Sequence, residues 1–159
     1  MNKTPTFNQL VRHPVQMLAF GFGSGLATKA PGTMGTLVAI PIYYGLMMFD
    51  DGVYLSALLI VMLAGIWICG KTADDIGVHD HGGIVWDEIA GYLLTMYWAT
   101  FNWQNVVLGF VLFRLFDIAK PWPISWVDKK VDGGLGIMLD DVLAALMAAA
   151  CLYGIGVYL

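Results

Sequence analysis

The stretch 53-VYLSALLIVMLAGIWICG-70 contains 18 residues and no charge. An uncharged apolar run of this length is typical of a helix that crosses a membrane. As an α-helix it would be about 27 Å long, close to the ~30 Å thickness of the hydrocarbon core of a bilayer. We therefore predict a spanning helix over Val53–Gly70.

The end of this stretch continues into GIWICGKT, residues 65–72, which matches the nucleotide-binding pattern GxxxxGK(S/T). A phosphate-binding loop is a glycine-rich turn after a strand, and its backbone N–H groups point at the phosphate. Here the variable positions are apolar and continue the helix, whose N–H groups already bond within the helix. The sequence therefore predicts no nucleotide site, and Lys71 is interpreted as a basic anchor at the end of the spanning helix.

The composition limits the class of protein. Hydrophobic residues make up 58% and charged residues 13% of the 159-residue chain, against about 45–50% and about 25% in ordinary soluble domains. So few charged residues could hardly cover the surface of a soluble monomer. The chain therefore lies in a membrane or buries much of its surface in an oligomer. A net charge of −4 disfavours nucleic acid as a partner.

We expect one domain and no removable signal peptide. Cys69 and Cys151 lie in apolar runs and are predicted to be buried thiols.

Five apolar segments and no period-2 alternation predict an all-α fold. If every segment crosses the membrane, all 8 basic residues fall on one side, which the positive-inside rule makes cytoplasmic. We therefore predict a polytopic helical membrane protein of about five apolar helices; a soluble helical bundle with charged loops at one end is the alternative. The segments are Thr36–Phe49, Val53–Gly70, Ile89–Phe101, Val106–Phe116 and Val142–Leu159.

Most of the acidic residues gather in two windows, Asp74–Glu88 and Asp117–Asp141, both on the basic side. The pair Asp87-Glu88 opens the third apolar segment, and Asp140-Asp141 opens the last. One carboxylate at a helix start is favoured by the helix dipole, but an adjacent pair entering an apolar helix is costly unless it is paired or binds a cation. Two such pairs could converge on divalent cations, and oxygen ligands indicate Mg²⁺ or Mn²⁺ rather than zinc.

Three charged residues, Arg114, Asp117 and Lys120, have the spacing i, i+3, i+6 and share one helical face. Pro121 predicts that this helix ends just after Lys120. A cation–anion–cation face near a membrane boundary suits a phosphate and metal site, although an internal Arg114–Asp117 ion pair is the simpler alternative.

A glycine-rich turn, Gly21–Leu37, feeds the first apolar helix and is a natural seat for an anion. Thr33 is predicted to cap that helix, and Lys29 lies nearby. His79 and His81 flank Asp80 in another glycine-rich loop and are either ligands, acid–base groups or solvated histidines. Together these patterns predict metal-assisted phosphoryl chemistry on a lipid headgroup at one membrane face.

The motifs GFGSG with KAPGTMGTL, DxxxxIVWDExxG, FRxFDxxKPWPI and DGGxGIMxDD follow one another from about residue 17 to residue 145. In this order they resemble the phosphatidylglycerophosphatase A family. The resemblance implies a single domain over residues 1–159, an all-helical fold and a bacterial inner-membrane enzyme with its site facing the cytoplasm. It also implies that phosphatidylglycerophosphate is converted to phosphatidylglycerol with Mg²⁺.

By this resemblance, the motif residues enter the site with assigned roles. No cysteine, histidine or DxD-type nucleophile motif is visible, so we expect direct attack by metal-bound water, with a covalent aspartyl-phosphate on Asp80, Asp87 or Asp117 as the alternative. A small cation transporter and a non-catalytic lipid-binding subunit are the rival functions. The predicted metal ligands are Asp87, Glu88, Asp140 and Asp141; the phosphate-binding residues are Arg114 and Lys120, helped by Lys29 and Thr33; Asp80 is the general base, and Asp117 is a further catalytic residue or metal ligand.

Overall fold

Helices make up the regular secondary structure of residues 4–79 and 81–158, the part of the chain that the computed structural model describes. No strand is found among these residues, which confirms the all-α prediction. Two short helices, α1 (Phe7–Arg12) and α2 (Pro14–Ala19), lead through a 3-10 turn (Gly21–Leu26) into the longer ones. These are α3 (Pro31–Leu46), α4 (Asp51–Ile76), α5 (Trp86–Met96), α6 (Trp103–Ala119), α7 (Ile124–Lys130) and α8 (Gly133–Tyr158).

The string GIWICGKT lies wholly within α4, which confirms that it is not a phosphate-binding loop. Asp50 caps the start of α4 by accepting a hydrogen bond from the backbone N–H of Val53 at 3.1 Å. The helix ends at Gly77, whose φ of 70° suits a residue without a side chain. Because α4 continues to Ile76, Lys71 lies before the helix end rather than at it, and it pairs with Asp75 at 3.0 Å.

Glycines allow α4 and α8 to pack with their backbones in close contact. A Cβ atom added at Gly134 of α8 would lie 1.8 Å from the carbonyl oxygen of Ile66, and one added at Gly65 would lie 2.5 Å from Sδ of Met138. Small residues at a helix crossing permit this approach in membrane bundles. The glycines that mimic a nucleotide motif therefore serve helix packing.

Only part of the five-span prediction is supported. Among the described residues, two helices are long and apolar enough to cross a membrane, α4 over 26 residues and α8 over residues 133–156. The other three apolar helices, α3, α5 and α6, have 16, 11 and 17 residues. Nine of the 11 residues of α5 are buried, because α5 is the central helix against which α3, α4, α6 and α8 pack. A helix that is apolar on all sides is a core helix as readily as a spanning one.

Two further boundaries bear on the site. Helix α5 begins at Trp86, so Asp87 and Glu88 occupy its first turn as predicted. Helix α8 begins at Gly133 rather than near Val142, so Asp140-Asp141 lies inside the helix and does not open it. Glycines usually indicate a loop, but here they form the start of α8. The close contact of Gly134 with α4 leaves no room for a side chain.

The prediction for the cysteines is half correct. Cys69 is buried between α4 and α8, whereas Cys151 is exposed on α8. An apolar run on a helix with one exposed face does not bury each of its members.

Candidate active site

An acidic cavity of about 300 Å³ lies where the first turns of α3 and α5, the end of α6 and the first half of α8 meet. Its lining includes five carboxyl groups and two cationic side chains, all of them candidate site residues of the sequence analysis. These residues are Asp87, Glu88, Asp117, Asp140, Asp141, Arg114 and Lys120.

The start of α5 is fixed against its neighbours, and this fixes the first acid pair. The backbone N–H of Val85 donates to the carbonyl oxygen of Ala19 at 2.8 Å. The indole N–H of Trp86 donates to the carbonyl oxygen of Val61 on α4 at 3.0 Å. Asp87 and Glu88 therefore enter the cavity from a rigid helix terminus.

Three carboxylates form one group in this cavity. Oxygen atoms of Asp87, Glu88 and Asp141 all lie within 4.8 Å of one another. One oxygen of each, Oδ1 of Asp87, Oε2 of Glu88 and Oδ2 of Asp141, is buried without a hydrogen-bond partner among the described residues. Buried unpaired carboxylates are costly and repel one another. A hard cation bound to oxygen ligands would remove both costs.

The pKa values of the first acid pair reflect this environment. Burial raises the pKa of Asp87 well above its ordinary range, and the nearby charges of Glu88 and Asp141 raise it further. Burial likewise raises the pKa of Glu88 to about 7, although the neighbouring Arg114 acts in the opposite direction. Burial therefore dominates the pKa of both carboxyl groups, and only Glu88 has a nearby positive charge that opposes the rise.

Asp140 is not part of the carboxylate group. Its Oδ2 accepts a hydrogen bond from Nζ of Lys120 at 2.6 Å, and its Oδ1 accepts from the backbone N–H of Asp141 at 3.0 Å. The structure thus assigns different partners to the two adjacent acids of α8. The proposed metal-binding role of Asp140 remains a prediction.

Arg114 lies between two acids. Its Nη1 contacts Asp117 of the same helix and lies 3.6 Å from Oε1 of Glu88. The internal ion pair that the spacing suggested is therefore present, and the phosphate-binding role remains a prediction. A Cβ atom added at Gly32 would lie 2.1 Å from Oε1 of Glu88 and 3.0 Å from Nη1 of Arg114. Only a glycine allows the first turn of α3 to come this close to the cavity charges.

Lys120 ends α6 as predicted, in a left-handed conformation with φ of 41°. Its Nζ donates to Asp140 and, at 2.5 Å, to Asp128 of α7. Burial alone lowers the pKa of Lys120, but the hydrogen bonds and charges of these two carboxylates outweigh it and raise the pKa overall. No role was predicted for Asp128, since its contact with Lys120 spans a proline turn that helical spacing cannot describe.

Two predicted helpers do not line the cavity. Lys29 is exposed and Thr33 is half-buried. Thr33 does not cap α3 either, because the helix begins at Pro31 and Ala30 occupies the capping position. A proline at the first helical position, with its fixed φ, starts the helix earlier than a threonine cap would.

The loop between α4 and α5 contains the remaining candidates. Asp80, the predicted general base, lies outside the described residues. Nε2 of His79 lies 2.8 Å from the backbone N–H of Gly133, which donates to it, and Nδ1 of His81 accepts from the backbone N–H of Gly83 at 3.0 Å. Both histidines thus hold the backbone around the cavity, and neither lines it.

Comparison with known proteins places these residues in a family context. The family model described as phosphatidylglycerophosphatase A matches residues 17–156. A phosphatidylglycerophosphatase A of Escherichia coli (strain K12) is 48% identical over 145 residues, covering 91% of this chain and 84% of that protein. A phosphatidylglycerophosphatase A of Haemophilus influenzae is 43% identical over 145 residues, covering 90% of this chain and 89% of that protein. No solved structure matches.

Proposed function

The chain belongs to the phosphatidylglycerophosphatase A family, and we propose that it hydrolyses phosphatidylglycerophosphate to phosphatidylglycerol and phosphate. The observation that carries this proposal is the group of three carboxylates, each with one buried oxygen that has no partner, beside Arg114 and Lys120 in one cavity. Phosphoryl chemistry needs carboxylates that bind a cation and cationic side chains that bind the phosphate.

Mg²⁺ is the proposed cofactor. Asp87, Glu88 and Asp141 would hold it, because each has a buried carboxylate oxygen without another partner and Mg²⁺ prefers carboxylate oxygens. When bound, Mg²⁺ supplies positive charge that polarises a phosphoryl oxygen and offsets the negative charge developing on the phosphate.

The other side chains would bind and orient the substrate. The cavity lining has five carboxyl groups against two cationic side chains, so the positive charge of a bound Mg²⁺ would favour the binding of a phosphate. Arg114, whose buried Nε has no partner, would then exchange Asp117 for a bidentate contact with phosphate. Lys120 would hold a second phosphoryl oxygen at the end of α6.

Hydrolysis of the ester requires one bond exchange and two proton transfers. A water oxygen bonds to phosphorus while the bond between phosphorus and the ester oxygen breaks. In this proposal Asp80 accepts one proton of the water and then gives it to the departing alkoxide, which leaves as the alcohol of phosphatidylglycerol. Asp117, next to Arg114, would stabilise the guanidinium before the phosphate arrives.

We also propose that the cavity faces the cytoplasm in a bacterial inner membrane. The end of α4 and the start of α8, the two candidate spans, lie at the cavity end of the molecule. Lys71, Lys129 and Lys130 belong to the same end, as the positive-inside rule requires. A cation transporter is less well supported, because its acids would be spread through the membrane depth, whereas here they converge at one end.

The decisive experiment measures phosphate release by the purified protein from phosphatidylglycerophosphate, with soluble glycerol phosphates for comparison, with and without Mg²⁺. We expect Mg²⁺-dependent release from the lipid and no ion flux in proteoliposomes. Release that needs a second protein would indicate a non-catalytic subunit, and ion flux without phosphate release would support a transporter.

A further inference from the structure

One face of α6 is an exposed apolar stripe along the whole helix. Its members recur every three or four residues, which places them on one side of a helix. From Val107 to Ala119 every exposed residue of α6 is apolar. A tryptophan lies at each end of the stripe. The α6 stripe consists of Trp103, Val107, Val111, Leu115 and Ile118 of the helix, together with Trp122 of the turn that follows Lys120.

The dimensions and composition of the α6 stripe fit the acyl region of a bilayer. Helix α6 has 17 residues and is therefore about 25 Å long, near the ~30 Å thickness of the hydrocarbon core. Tryptophan is enriched at both boundaries of that core, which is where Trp103 and Trp122 lie relative to the helix. The occupant that matches this surface is a phospholipid with its chains parallel to α6.

The α6 stripe runs directly into the acidic cavity. Ile118 lines the cavity and is also 69% exposed, whereas the other isoleucines of the lining, Ile84 and Ile137, are 3% and 5% exposed. Ile118 follows Asp117 and precedes Lys120 by two residues, so apolar surface and headgroup-binding charge meet on one helix. Leu63 of α4 is exposed to a similar extent, 68%, but it does not line this cavity.

We propose that the α6 stripe is the surface along which a diacyl phospholipid reaches the active site. The acyl chains lie against Val111 and Leu115, and the phosphorylated headgroup passes Ile118 into the cavity. Two exposed lysines at the cavity end, Lys129 and Lys130, attract an anionic headgroup. This inference rests on the proposed function and adds how a lipid, rather than a soluble phosphate ester, is selected.

The first test compares Ile118→Trp with the matched control Leu63→Trp. Each variant adds an indole at an equally exposed, lipid-facing helical position. The measured quantity is the ratio of kcat/KM for long-chain phosphatidylglycerophosphate in vesicles to kcat/KM for soluble glycerol phosphate. We expect Ile118→Trp to lower this ratio at least tenfold and Leu63→Trp to change it less than twofold.

An unchanged ratio, or an equal fall in both variants, would overturn the inference while leaving the proposed function intact. A wild-type protein inactive on both substrates would overturn the proposed function itself, and the inference with it.

The second test uses the wild-type protein and so does not depend on the folding of a variant. The protein is placed in vesicles that contain a phospholipid with a photoreactive diazirine in its acyl chain. A non-hydrolysable phosphonate analogue of phosphatidylglycerophosphate should reduce labelling between Val111 and Trp122, in the second half of α6 and the turn that follows it. Labelling around Leu63 of α4 should stay unchanged. Equal reduction at both helices, or none at α6, would contradict the proposed path.

Discussion

The carboxylates on the two sides of the acidic cavity differ in whether their oxygens have partners. On one side, Asp87, Glu88 and Asp141 each keep a buried oxygen without a partner. On the other, Asp140 shares the ammonium group of Lys120 with Asp128, which lies outside the cavity lining. A buried charge is tolerated only when it is paired or coordinated, and this is why we propose a cation on the unpaired side. On the paired side, Lys120 already supplies the positive charge that its two carboxylate partners need.

The strongest test of this difference compares substitutions of the adjacent acids of α8. Asp141→Asn removes one charge from the unpaired group, and we expect kcat/KM to fall more than about 100-fold, the limit that outer-shell partners of a metal already reach. Mg²⁺ affinity, measured by calorimetry, should fall with it. Asp140→Asn should weaken Mg²⁺ binding much less, because Asp140 is bonded to Lys120. Equal loss of Mg²⁺ affinity in both variants would show that the two sides do not differ as described.

This difference between Asp140 and Asp141 could not be predicted from the sequence. The sequence pattern does predict that two acid pairs meet at one end of a helical bundle, because alternating the apolar segments across a membrane places both pairs on the same side. It treats the members of each pair alike. Consecutive residues of a helix point about 100° apart, so one short aspartate of α8 reaches the carboxylate group while its neighbour turns to Lys120.

The second prediction concerns Arg114, which borders the unpaired side. Arg114→Lys retains the charge but cannot form the bidentate contact of a guanidinium with phosphate. We expect kcat/KM to fall about 100-fold, the range observed when one donor to a developing charge is removed. The exposed Arg12 provides the matched control, since Arg12→Lys should leave kcat/KM unchanged.

A direct binding measurement separates the two roles of Arg114. If Arg114 binds phosphate, Arg114→Lys leaves the affinity for Mg²⁺ close to that of the wild type. A loss of Mg²⁺ affinity as large as the loss of activity would instead assign Arg114 to the support of Glu88, from which its Nη1 lies 3.6 Å away.

The helix boundaries show a similar division between what the sequence predicts and what packing decides. The end of α6 at Lys120 was predictable, because Pro121 restricts the residue before it. The start of α8 was not, because glycines at residues 133 and 134 usually indicate a loop. Here Gly133 has a φ of 72° at the first position of α8, and Gly134 lies where a side chain would meet the backbone of α4, a contact between segments about 70 residues apart.

The third prediction concerns Asp128, the second partner of Lys120, for which the sequence predicted no role. Asp128→Asn should leave Lys120 bonded to Asp140 alone and raise KM about two- to fivefold, the equivalent of about 0.5–1 kcal/mol for a partly exposed ion pair. The value of kcat should change little, because Asp128 positions Lys120 and does not line the cavity. Asp132→Asn is the matched control, since the side chain of Asp132 is 94% exposed; a fall in kcat without a change in KM would contradict the positioning role.

The smallest effect is expected at Lys71, the residue that gave the nucleotide motif its signature. Lys71 pairs with Asp75 on the exposed face of α4 at 3.0 Å, and such i, i+4 pairs contribute about 0.3–0.5 kcal/mol. Lys71→Ala should therefore change phosphate release from phosphatidylglycerophosphate less than about twofold, within that energy range, and should create no dependence on added ATP. A fall comparable to that of Asp141→Asn would mean that a charge outside the acidic cavity takes part in the reaction. The contrast between the paired and unpaired sides would then fail to describe where the chemistry lies.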